Sequence, residues 1–178
     1  AVGGHIAARL GSAGVPVSML ARGATLQAIQ ADGVRLEASD GVFQARVRAS
    51  DDAAALGPHD VVVVALKAQG LPALAPTLAP LLGPHTPVVF AVNGIPWWYA
   101  HGMRPGAVAL GDGVLARLDP EGALARTVGA ERAIGCVVSS PNGVMAPGVV
   151  RCLSDVNTFV VGEPDGSRSP RLAALFAL

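Results

Sequence analysis

Four short groups of residues in this 178-residue chain could do chemistry together. Gly3-Gly4 opens an apolar, helix-like stretch, and Arg22 stands just after the apolar run Val15 to Leu20. Lys67 closes the run Asp60-Val-Val-Val-Val-Ala-Leu66, and Asn93-Gly94 closes the run Thr86 to Val92. A glycine turn at a helix N-terminus lets backbone N–H groups approach an anionic pyrophosphate, and the residue ending the next strand can read a ribose. These are the requirements of a dinucleotide site. If Gly3 is the third glycine of Gly-x-Gly-x-x-Gly, the other two glycines and the first strand are expected before Ala1. Gly3-Gly4 alone fits equally well a helix packed tightly with no ligand.

The second position is more selective. Met19-Leu20-Ala21-Arg22-Gly23 holds no acid to accept from the ribose hydroxyls of NAD. A guanidinium at Arg22 suits a 2′-phosphate, a charge-assisted contact of about 1.5–3 kcal/mol, or on the order of ten- to a hundredfold preference for NADP over NAD. A solvated surface arginine is the plain alternative.

Such residues need elements to hold them. The spacing predicts a helix from Gly3 with Ile6, Leu10 and Ala13 on one face, stopped by Gly14, then a strand over Val15 to Leu20. A short helix over Ala24 to Ala31 follows, closed by Asp32-Gly33, then a hairpin of Val34 to Glu37 and Val42 to Arg48 around Ser39-Asp40-Gly41. The unbroken apolar run Asp60 to Leu66 reads as a strand buried on both faces of a parallel sheet, and Thr86 to Val92 as another. Between them Leu71 to Leu82 is helical in its leucine spacing but interrupted by Pro72, Pro76 and Pro80. Further candidates are a helix over Pro120 to Val128, strands over Ala133 to Ser139, Val144 to Cys152 and Thr158 to Val161, and a last helix from Ser169-Pro170 still running at Leu178. Gly162 to Ser169 is the best linker.

This alternation predicts an α/β fold, a Rossmann-type, doubly wound, mainly parallel sheet lacking its first strand. Residues 1–165 are expected to form the cofactor-binding domain and 166–178 the start of a connection. Without the first strand, this exact polypeptide is expected to fold poorly or aggregate.

Composition narrows the function. With 51% hydrophobic and 15% charged residues the chain is that of a globular core. Thirteen basic residues balance thirteen acidic ones, so neither nucleic acid nor an anionic membrane is an expected partner. No apolar run approaches the roughly 20 residues of a membrane span, and a cytoplasmic protein is expected. Cys136 and Cys152 read as buried thiols rather than a disulfide. The scattered His5, His59, His85 and His101 lack ligand spacing, so no metal is expected.

In order, Gly3-Gly-x-x-Ala-x-x-Leu-x-x-Ala-Gly14, Leu20-x-Arg22, Val64-Ala-Leu-Lys67-Ala and Val92-Asn93-Gly94-Ile95 resemble the motif series of the ketopantoate reductase (2-dehydropantoate 2-reductase) family. Pro147-Gly-Val-Val150 and Val161-Gly-Glu-Pro164 extend the resemblance over nearly the whole chain. It implies a Rossmann-type domain followed by an all-helical domain, which is expected beyond Leu178, with substrate and nicotinamide in the cleft between those domains. Carried across by position, it assigns Ala1, Val2 and Gly3 to the pyrophosphate turn, Arg22 to the 2′-phosphate, and Lys67 and Asn93 to the nicotinamide end. Pro141 falls near another cofactor contact, where only its carbonyl could accept a hydrogen bond. Lys67 as a snorkelling surface lysine and Asn93 as a turn residue remain the plain alternatives.

The reaction implied is NADPH-dependent reduction of 2-dehydropantoate, a 2-oxo acid, to pantoate in pantothenate biosynthesis. The family's proton donor is a lysine of the helical domain, so no catalytic residue is expected in this chain, which should bind cofactor without turnover. A reductase of another 2-oxo acid and a non-catalytic NADP-binding sensor are the rival readings. Pro96-Trp97-Trp98-Tyr99 is the main departure, fitting either a reshaped pocket or packing.

Overall fold

A computed structural model describes residues 1–102 and 110–177. In chain order its elements are α1 (Val2–Ser12), β1 (Ser18–Leu20), α2 (Gly23–Asp32), β2 (Val34–Ala38), β3 (Gly41–Ala45), β4 (Arg48–Ser50), α3 (Ala53–Leu56), β5 (Val62–Val64), α4 (Leu71–Leu78), β6 (Val88–Ala91), α5 (Asp112–Leu118), α6 (Ala123–Thr127), β7 (Ala133–Ser139), β8 (Asn142–Ala146), β9 (Val149–Cys152), β10 (Thr158–Gly162) and α7 (Pro170–Leu175). They form two compact units, one of Ala1–Gly57 with Ser139–Thr158, the other of Pro58–Val138 with Phe159–Ala177.

In the first unit β1 pairs in parallel with β4, and a separate sheet has the order β3-β2-β9-β8. Its middle pair, β2 with β9, is parallel, flanked by the antiparallel hairpins β2–β3 and β8–β9. Helix α1 packs on this sheet over a core of Ala7, Ala8, Val34, Leu36, Ala45 and Val150. The face it buries is not the expected Ile6-Leu10-Ala13 stripe, for His5, Ala7 and Ala8 are the buried residues. The reason is steric. Gly4, Ala8 and Gly11 lie at i, i+4 and i+7, a ridge of small residues that lets the helix axis come close to the strands. A Cβ on Gly4 would stand 2.7 Å from Val150 Cγ2, and one on Gly11 2.5 Å from the Ala45 Cβ. Bulky Ile6 and Leu10 stay half-buried beside that ridge.

In the second unit the sheet order is β10-β7-β6-β5, with β5–β6 and β6–β7 parallel. Helix α4 makes the β5-to-β6 crossover, the βαβ connection on which the expected α/β, Rossmann-type fold rests. Four buried residues, Val88 to Ala91, make β6 the sheet's apolar centre. Pro72 lies in the first turn of α4, where a missing N–H costs nothing, and Pro76 interrupts its ladder, so the helix passes into a 3-10 turn over Ala79–Leu81.

Several expectations need correction. The run Asp60 to Leu66 shortens to Val62–Val64 and is not buried on both faces, since Val63 is 40% and Leu66 47% exposed. Val62 and Val64 face one side of the sheet, which is covered, and Val63 the other, which is not, and four consecutive valines cannot distinguish such a strand from one covered on both faces. The expected strand Val144 to Cys152 is two strands, because Gly148 at φ +75° turns the chain after Pro147. The first strand begins at Ser18, not Val15, and α5 was not foreseen. Helix α7 closes at Leu175, while Leu178 lies outside the described residues. The expected linker is anchored: Glu163 accepts from Arg171 Nε at 2.8 Å and Nη2 at 2.5 Å, and Arg171 also donates to the Glu131 carbonyl at 2.6 Å.

Candidate functional site

Ala1, Val2 and Gly3 form the N-cap and first turn of α1. The Ala1 carbonyl accepts the His5 N–H at 3.0 Å, which closes the first intrahelical bond. The N–H groups ahead of that bond have no partner within the helix, and among the described residues no side chain caps them. With no acid in this turn, it presents the positive end of the helix dipole to an anion.

Arg22 follows β1 and is the N-cap of α2, held extended at φ −135°, ψ 158°. Its register is set by the neighbouring strand, for the Ala21 N–H donates to the Ser50 carbonyl at 3.0 Å. Among the described residues the exposed guanidinium has no hydrogen bond or ion pair, and the first turn of α2 holds no acid. A phosphate there would meet a free cation and a second helix N-terminus.

Lys67 and Asn93 lie in the second unit, at the carboxyl ends of neighbouring parallel strands. Val64 is the register partner of Phe90. Lys67 is three residues past Val64 (67 − 64) and Asn93 three past Phe90 (93 − 90), so both follow the last paired rung of β5 and β6 by the same number of residues. This is the edge where open α/β sheets receive ligands. The Lys67 side chain is exposed, while its carbonyl accepts the Gly70 N–H at 2.9 Å to fix the following turn. The Asn93 amide donates to the Val138 carbonyl at 2.8 Å and accepts the Val138 N–H at 2.9 Å. It thus extends the β6–β7 pairing by one side chain.

Pro141 sits in the first unit between β7 and β8, with its carbonyl accepting the Leu153 N–H at 2.8 Å. Its one acceptor therefore already serves the fold. The aromatic cluster after Asn93 is packing: Trp97 and Trp98 are buried with ring centroids 5.8 and 4.7 Å from Phe90.

One group escaped the sequence reading. His5, only 4% exposed, bonds through Nδ1 to Asn142 Oδ1 at 2.8 Å. The partners are 137 residues apart, and no local spacing signals the pair.

The model of the family described as ketopantoate reductase PanE/ApbA matches residues 1–97, more than half of the chain. The chain belongs to the ketopantoate reductase family. It is 46% identical over 176 residues to a 2-dehydropantoate 2-reductase of Mesorhizobium japonicum, covering 98% of this chain and 53% of that protein. Among solved structures, a ketopantoate reductase homologue of Ralstonia solanacearum superposes with a TM-score of 0.87 at 44% identity, covering 99% of this chain and 54% of that one. A 2-dehydropantoate 2-reductase of Geobacter metallireducens follows at TM-score 0.76 and 27% identity, covering 99% and 51%. The chain thus spans about half the length of these ketopantoate reductase relatives. Among the described residues no helix is long and apolar enough to cross a membrane.

Proposed function

We propose that this chain is the NADP-binding part of a 2-dehydropantoate 2-reductase, with residues 1–165 as the cofactor domain and 166–178 leading out of it. Arg22 carries the reading. It is a cation without a partner among the described residues, at the N-cap of α2, where NAD recognition would need an acid. The uncapped first turn of α1 suits the pyrophosphate, so the residues present fit the dinucleotide.

NADPH, when bound, supplies the hydride that reduces the C2 ketone. The chain's own residues bind and orient. Ala1 to Gly3 would donate backbone N–H groups to the pyrophosphate, and Arg22 a guanidinium to the 2′-phosphate. Lys67 and Asn93 would stand at the nicotinamide end, Asn93 held rigid by its two bonds to Val138. The Pro141 carbonyl, which accepts the Leu153 N–H with one lone pair, would have its second for a further cofactor contact. The proton donor is expected outside these residues, as the family resemblance implies. A small 2-oxo acid is the proposed partner, and the cytoplasm the proposed location.

The test is NADPH oxidation by the full-length protein with ketopantoate, beside NADH and other 2-oxo acids. NADPH-specific turnover of ketopantoate is expected. Faster turnover of a different 2-oxo acid would replace the substrate, and cofactor binding without any turnover would replace the enzyme by a sensor.

A further inference from the structure

Five side chains of the first unit form a directional hydrogen-bond chain that the proposed function does not use. Asn142 Nδ2 donates to the Ser140 carbonyl at 2.8 Å and to Ser140 Oγ at 2.9 Å, which occupies both of its protons. Asn142 Oδ1 is then the acceptor facing His5 Nδ1 at 2.8 Å, so His5 must carry its proton on Nδ1. Ser140 Oγ donates onward to Asn157 Oδ1 at 2.5 Å, and Asn157 Nδ2 to the Ser154 carbonyl at 2.9 Å. The Cys152 thiol lies 3.0 Å from Asn157 Oδ1 and points the same way. His5, Ser140 and Cys152 are buried, where an unmatched donor would be costly.

The first three members of this hydrogen-bond chain, His5, Asn142 and Ser140, lie beside candidate cofactor residues. His5 is one helical turn from Ala1 to Gly3, and its own N–H closes that turn on the Ala1 carbonyl. Ser140 and Asn142 flank Pro141. We infer that His5, through Nδ1–H to Asn142, is a positioning residue that locks the first turn of α1 to the Ser140–Asn142 segment, so that the two present themselves to the cofactor in one fixed geometry. The inference rests on the proposed dinucleotide role of Ala1 to Gly3 and Pro141. Without the bond, the α1 turn would have to be ordered at the moment of binding, and affinity would fall.

The test compares His5→Leu with His5→Asn in the full-length protein. The two replacements are close in size, and only asparagine keeps a donor at the position of Nδ1. His5→Leu is expected to raise the Kd for NADPH about three- to tenfold, the worth of one neutral hydrogen bond, and to raise the Kd for NADH by the same factor. The shared factor separates it from Arg22, which acts on the 2′-phosphate alone. His5→Asn should restore binding to within about twofold of wild type. Equal binding by wild type and His5→Leu, or equal loss in both variants, overturns the inference. Should His5→Leu not fold, Asn142→Ala, which removes the acceptor of the His5 Nδ1–H, decides in its place: a raised Kd for both nucleotides supports the positioning role and an unchanged Kd overturns it. In wild type, nitrogen-15 chemical shifts should show His5 protonated at Nδ1, and a neutral ring protonated only at Nε2 also overturns it. Wild-type protein that binds no NADPH would fail the proposed function itself, whereas binding that ignores His5 fails this inference alone.

Discussion

The amide of Asn93 and the backbone of Val138 exchange two hydrogen bonds, of 2.8 and 2.9 Å, so that a side chain acts as one more rung between β6 and β7. A residue expected to face a ligand is thus also part of the sheet. Asn93→Ala leaves the Val138 N–H and C=O without these partners and should cost about 1–2 kcal/mol. Asn93→Asp keeps the acceptor but sets a carboxylate against the Val138 carbonyl, so its stability should fall as the pH rises through the carboxyl range. Urea unfolding against pH checks both, and an Asn93→Ala protein as stable as wild type would deny the rung.

Glu163 gives a second pH signature. The Arg171 guanidinium, donating to both its oxygens, holds the Glu163 carboxyl below the ordinary glutamate range, against burial and with help from the Ser169 hydroxyl. The folded value is depressed, so the stabilisation is present above the unfolded value, about 4.3, and is lost as the pH falls toward the folded one. The side chain of Glu163 is 5% exposed and that of Arg171 33%. Glu163→Gln should therefore cost about 1.5–3 kcal/mol at neutral pH, with the gap from wild type narrowing below about pH 4. A gap that stays constant into acid would mean the pair contributes packing rather than charge.

What the sequence disclosed follows how local each signal is. Helix α2 ending at Gly33, the hairpin around Asp40-Gly41 and strand β7 were legible because turn chemistry and apolar runs are contiguous. The pairing of β2 with β9 was not, since it joins Leu36 to Val150 across most of the chain. The buried face of α1 misled because hydrophobicity points to Ile6 and Leu10, whereas close approach selects Gly4, Ala8 and Gly11. In the candidate site, Arg22, Lys67 and Asn93 stood out as polar residues at strand ends. His5 did not, for its role depends on Asn142 and is invisible until the fold brings them together.

Arg22 offers the sharpest test of cofactor choice. Its guanidinium has no partner among the described residues to lose on substitution, so Arg22→Ser should leave folding stability within about 0.5 kcal/mol of wild type. The same change should raise the Kd for NADPH ten- to a hundredfold, on the order of 1.5–3 kcal/mol, and leave that for NADH unchanged. Fluorescence titration with both nucleotides measures this, and an equal loss for NADH would place Arg22 elsewhere than at the 2′-phosphate.

The small-residue ridge of α1 supports a prediction of order rather than size. Alanine is the better helix former by about 0.5–1 kcal/mol, so Gly4→Ala and Gly11→Ala would stabilise an isolated helix. In the fold each new methyl meets a neighbour, Val150 Cγ2 at 2.7 Å or the Ala45 Cβ at 2.5 Å, and overpacking costs about 1–3 kcal/mol. Both variants should be less stable than wild type, Gly11→Ala more so, because the Ala45 methyl is fixed to the backbone and cannot rotate away. Gly33→Ala should be worse than either, since its φ of +83° disfavours any side chain and its Cβ would lie 2.3 Å from the Ala45 carbonyl oxygen. Thermal unfolding of the three variants gives the order. The double variant Gly4→Ala/Val150→Ala should recover part of the Gly4→Ala loss relative to Val150→Ala alone, and simple additivity of the two changes would show that α1 does not rest on β9 through Gly4.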